Sequence, residues 1–171
     1  MIKLLFIAVI IFSSAGIGSV IVGEWEERRK SIGAMQSAVK VLNSALGFQG
    51  MPLYDALLAA GKIAYPEFFQ GCASLLRKEP GVAGKELCKR AMLEQKESLA
   101  GCKEPEKEAL ADLFGRLCGA VSPEQIEDAG KVFLRQTDLL AEQLRSQQEQ
   151  KGRLTRTMCI VAGLVISILF V

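Results

Sequence analysis

The chain has 171 residues, half of them apolar and only 6% aromatic, with 21 basic side chains against 19 acidic ones. A net charge of +2 carried by interleaved signs excludes the one-sided basic face with which proteins grip nucleic acid. The complete lack of histidine removes the usual general base, the usual proton shuttle and the commonest metal ligand together.

The first element is an apolar run from Ile2 to Val22 whose only charge is Lys3. Its ~20 residues, at 1.5 Å each, match a hydrocarbon core of about 30 Å, which predicts an N-terminal transmembrane helix over residues 1–23. Lys3, the stretch Leu4 to Phe12, and Ser13 with Ala15 also fit a cleaved secretory signal. Apolarity resumes at Ile17, Val20, Ile21 and Val22, which favours a retained anchor.

From about Glu24 to Leu46, Ile32, Met35, Ala38, Val39, Leu42 and Leu46 recur at helical spacing, until Gly47, Gly50 and Pro52 interrupt. Leu53, Ala56, Leu57 and Ala60 start a second stripe, so the two read as a helical hairpin. Pro66 opens a third helix carrying Phe68, Phe69, Cys72, Leu75 and Leu76, closed by Glu79 to Gly81. A fourth is predicted from about Ala83 to Ala100. Pro105 begins a fifth, with Ala109, Leu110, Leu113, Phe114 and Leu117 in one stripe that ends at Gly119. Ser122-Pro123-Glu124-Gln125 is the best-defined helix start in the chain. The sixth helix that follows places Ile126, Ala129, Phe133, Leu140 and Leu144 on one face, opposite Asp128, Lys131, Arg135, Asp138, Glu142 and Arg145. With no proline beyond Pro123, it is expected to continue nearly unbroken into the closing apolar run from Met158 to Val171. That run of ~14 residues reaches only about 21 Å unless Leu154 and Thr155 join it and Arg156 snorkels. The expected C-terminal transmembrane helix therefore covers 154–171. No segment alternates as a strand does.

Arg28, Arg29, Lys30 and Lys40 follow the first anchor and Arg145, Lys151, Arg153 and Arg156 precede the second, against Lys3 alone beyond them. Positive flanks resist translocation, so residues 24–153 are expected as one cytoplasmic helical domain of a two-pass membrane protein, its anchors in membrane lipid. Cys72, Cys88, Cys102, Cys118 and Cys159 lack any paired-cysteine spacing and read as small buried hydrophobes. With the opposite orientation, the first four would meet an oxidising space and could form two bridges. The clusters Glu104, Glu106, Glu108 and Glu124, Glu127, Asp128 both begin helices, where acidic groups favour the macrodipole. Gly47, Gly50, Gly81 and Gly84 lack the spacing of a phosphate cradle. No catalytic, cofactor-binding or metal-binding residue and no small-molecule substrate is predicted.

Several strings resemble one family: Ala45-Leu46-Gly47-Phe48-Gln49-Gly50-Met51-Pro52-Leu53 between two helices, Leu113-Phe114-Gly115-Arg116-Leu117-Cys118-Gly119, and Ala162-Gly163-Leu164 near the end. In this order and at this length the chain resembles stage III sporulation protein AB of endospore-forming bacteria. Its central hairpin also resembles the F domain of type II secretion platform proteins. The resemblance implies an all-α multi-helix bundle like that F domain, flanked by the two membrane helices. It further implies a non-enzymatic platform component of the secretion-like channel between mother cell and forespore, in the mother-cell membrane around the forespore. The implied partners are other sporulation channel subunits and a cytoplasmic motor ATPase similar to stage III sporulation protein AA. Gly50, Pro52 and Leu53 at the hairpin tip are the expected partner-binding residues, although a tight turn opening the next helix accounts for the same residues. The rival reading is a membrane-tethered sensory or adaptor module that dimerises through its final helix, with Ile126, Ala129, Val132, Phe133, Leu140 and Leu144 as the seam.

Overall fold

The computed structural model describes the backbone over residues 26–169 and side chains over 26–149. These described residues form six helices and no strand: α1 (26–47), α2 (Leu53–Gly61), α3 (Pro66–Lys78), α4 (Gly84–Glu94), α5 (Glu104–Gly119) and α6 (Pro123–Leu169). The chain divides into two compact units. Lys30–Ala141 holds nearly all of the described core, whereas the described part of the other unit, 26–29 and 142–169, is helical and carries an exposed Arg145–Glu149 ion pair one turn apart. Among the described residues no helix is long and apolar enough to cross a membrane. The anchor expected over 1–23 lies outside the described residues, and so do the side chains of 154–171 and the thiol of Cys159.

The stripes predicted from periodicity largely become buried faces, with Ile126 and Leu140 of α6 only half-buried. On α1, Ile32, Met35, Ala38, Val39 and Leu42 are fully buried, with Leu46 half-buried against the same core. The centre is aromatic: the Phe68 ring stands edge-on to Phe69 at 5.2 Å and to Phe114 at 6.1 Å, so α3 holds α5. Such pairs add about 0.5–1.5 kcal/mol each beyond the area they bury. The exposed ion pairs Lys85–Asp112 and Arg90 with Glu79 and Glu86 contribute at most about 1 kcal/mol apiece.

The fourth helix is shorter than its pattern predicts. It ends at Glu94, Gln95 leaves helical geometry (φ −114°, ψ 48°), and residues 95–101 are a chain of tight turns. Ser98, Ala100 and Cys102 each donate their N–H to a carbonyl three residues back. Leu99 and Cys102, both buried, explain the departure, because the turns bring both into the core. At the next helix start, the Lys103 N–H donates to Glu106 Oε2 at 2.8 Å. Glu106, expected only as a dipole charge, is thus a fully buried capping carboxylate.

Close backbone approach sets two junctions. Tyr65, before α3, sits in the left-handed region (φ 54°), a conformation that costs an L residue about 1–2 kcal/mol. Its hydroxyl donates to the Ser31 carbonyl at 2.9 Å, and Gly101 lies directly against the Ser31 side chain. Three segments therefore meet on one turn of α1. At the other junction, a Cβ on Gly84 would run into the Phe114 carbonyl oxygen and Cys118, so only glycine lets α4 begin against the end of α5.

A Gly84→Ala substitution is expected to destabilise the protein by about 2–4 kcal/mol through overpacking against backbone. Gly33→Ala, where nothing lies within 4 Å of the added methyl, is expected to stabilise by about 0.5–1 kcal/mol. Paired chemical-denaturation curves check both signs.

Candidate functional site

The two helices farthest apart in sequence run side by side. Gln36 Nε2 donates to Thr137 Oγ1 at 2.9 Å and to Asp138 Oδ1 at 2.8 Å. One step along, Asn43 lies against Gly130, and beyond it Gly47 faces Ile126. Moving from 36 to 43 to 47 on α1 is matched by moving from 137 to 130 to 126 on α6, so the helices pack antiparallel, in register, at two-turn and one-turn intervals. Thr137 is buried, and its hydroxyl donates to the Phe133 and Leu134 carbonyls while accepting from Gln36. This satisfies a polar group inside the seam.

Gly130 is what permits that approach, since a Cβ there would collide with the Asn43 amide. The glycine is itself buried. Beside it the helices line an open groove of about 270 Å³ with apolar walls from Val39, Phe48, Pro123 and Leu134. Its polar lining is Lys40, Asn43, Glu124 and Glu127 among others. Asn43 Oδ1 is buried with no hydrogen-bond partner. Glu127 pairs with Lys131 at 2.8 Å, which raises the lysine's affinity for its proton. The Ser122 hydroxyl and the backbone at the start of α6 hold the Glu124 carboxyl below its ordinary range.

The expected helix start is present with one variation. Ser122 Oγ accepts the Gln125 N–H at 3.4 Å, but the Gln125 carboxamide reaches back to the N–H of Val121, one residue before the serine. Val121 is consequently held out in solvent at 93% exposure. Across the groove Phe48 is 84% exposed, and Met51 is also exposed, so this end of the α1–α6 pair presents large apolar groups to water.

The expected partner-binding residues follow Phe48 in the chain, and none of them lines this groove. Gly50 adopts φ +60°, the left-handed turn that glycine accepts without penalty, and is exposed. Pro52 caps α2 and is exposed, while Leu53, the first residue of α2, is half-buried against the core. Sequence reasoning missed Asn43, Gln36, Gly130 and Thr137. The available signal was a lone glycine inside a long helix, which usually marks a close packing partner.

Other chemistry-bearing residues behave structurally. Cys72, Cys88 and Cys102 are buried, Cys102 within 3.7 Å of the Tyr65 hydroxyl, and desolvation pushes the Cys72 and Cys88 thiols far above the ordinary range. Cys118 departs from expectation in being exposed. Ala129 and Phe133, two members of the supposed dimer seam, are already in the core of this unit. Among the described residues no group of histidine, cysteine or acidic side chains is arranged to hold a metal ion.

Gln36→Met and Thr137→Val are each expected to lower stability by about 1 kcal/mol. The double variant is expected to lose clearly less than both together, because both changes remove one interaction. Chemical denaturation of the four proteins in the cycle measures this.

A sequence model of the stage III sporulation protein AB family matches residues 3–171. No curated protein and no solved structure matches the chain.

Proposed function

The chain belongs to the stage III sporulation protein AB family and so has a role in sporulation, and from this we propose that it is a non-enzymatic platform component of the secretion-like channel between mother cell and forespore. In this reading residues 1–23 and 154–171 anchor it twice in the mother-cell membrane around the forespore. The domain between them, likened to a type II secretion F domain, faces the cytoplasm beside other channel subunits. There it docks a motor ATPase through the turn that carries Gly50, Pro52 and Leu53.

The observation that carries the proposal is the family match across nearly the whole length, apolar ends included. The described residues add a physical reason for docking. The α1–α2 turn holds Phe48 and Met51 in water, although burying such side chains would gain about 1.5–3 kcal/mol each. Large exposed apolar groups grouped at one end of a bundle are the ordinary mark of a protein contact. The dimerising-adaptor alternative has less support, because Ala129 and Phe133 are committed to the protein's own core.

Two measurements test the proposal. Reporters active only in the cytoplasm or only outside, placed after Gln70 in separate chains, should give cytoplasmic activity alone; exterior activity rules out docking to a cytoplasmic motor. Capture of the purified motor ATPase by the full chain in nanodiscs should fall about tenfold with Phe48→Ser, equivalent to ~1.4 kcal/mol, with little change in melting temperature. Undiminished capture by that variant removes this turn as the contact.

A further inference from the structure

We propose that the groove between α1 and α6 receives Phe48 of a second copy of this chain, in a two-fold contact that sets Lys40 of each copy against Glu124 of the other. The inference goes beyond the docking reading and rests on the membrane anchoring that belongs to it.

This surface carries a knob and a hole side by side. Phe48 is 84% exposed, and the groove it borders has apolar walls from Val39, Pro123 and Leu134. The Asn43 amide oxygen is sealed from anything that enters, so shape and apolarity select the occupant. A groove of about 270 Å³ accepts one aromatic ring, since a dry apolar cavity of about 150 Å³ already takes up benzene. Phe48 does not fill its own groove, because its ring stands in water. A ring and its receptacle on one face are what an isologous pair requires, with residue i meeting j and j meeting i. The charges select the same occupant. Lys40 on α1 and Glu124 on α6 both line the groove, and among the described residues neither is in an ion pair, whereas Glu127 is engaged by Lys131. A partner of one sign leaves one of these two charges opposed; a second copy answers both, lysine to glutamate and glutamate to lysine. The contact leaves the core members of α6, Ala129 and Phe133, where they are. Holding both copies in one membrane supplies the effective concentration that so small a contact needs. Pairing also buries Phe48, so a paired chain does not offer it to the motor ATPase.

The test uses the full chain in lipid vesicles, half donor-labelled and half acceptor-labelled, with energy transfer followed against protein density. Flotation with the vesicles reports the anchoring separately. Wild-type copies should associate, and Phe48→Ser, Lys40→Glu and Glu124→Lys should each weaken association about tenfold with little change in melting temperature. The decisive sample mixes Lys40→Glu donors with Glu124→Lys acceptors. Every charge then meets its opposite across the contact, and association should return to within about twofold of wild type. A role for either residue inside its own fold is not rescued by mixing two different chains. If Glu124→Lys fails to fold, a benzophenone side chain placed at position 48 should crosslink heavy-isotope to light-isotope copies on the α1 or α6 wall. Transfer no greater than that of a non-interacting membrane protein, no rescue on mixing, crosslinks confined to lipid, or motor capture that leaves the transfer unchanged each overturn the proposal. Transfer and rescue without motor capture would defeat the docking reading and leave the pairing standing; motor capture without transfer would do the reverse.

Discussion

The structure depends on α6 returning along α1. Gln36 and Thr137 are 101 residues apart, and closing so long a loop carries an entropic cost that one hydrogen bond cannot offset. Register makes it possible: Gln36, Asn43 and Gly47 meet Thr137, Gly130 and Ile126 at equal intervals, so one rigid helix aligned on another brings all of these contacts together. Helices as short as α2 and α4 are marginal alone in water and persist through the faces they bury against their neighbours.

Small residues and neutral hydrogen bonds, more than ion pairs, set the geometry. Gly84, Gly101 and Gly130 are each placed where a methyl group would strike the facing chain, and each marks a different joint of the bundle. Tyr65 accepts an unfavourable backbone conformation in order to reach Ser31. The ion pairs, by contrast, are largely exposed and decorate the surface.

The same pairing that closes the fold also shapes its most unusual end. Because Gly130 draws α6 against Asn43, the amide oxygen is taken from water without receiving a donor. Because the α1–α2 turn faces outward, Phe48 stays exposed at the same groove. Neither feature favours the stability of the isolated domain.

The amino-acid order alone determined the helical class, the helix starts near Pro66, Pro105 and Ser122, and most of the apolar residues that are buried, since periodicity, proline and capping act over one or two turns. It also held the family's strings, which point to sporulation. It did not determine where α4 ends, because Leu99 and Cys102 are drawn inward by a core assembled from other helices. Nor did it announce Glu106 as a buried cap or the groove at Asn43. The Glu106 bond is local but its burial is decided by the packed core, and the groove arises only when segments some ninety residues apart come into register, which is what leaves the Asn43 acceptor dry.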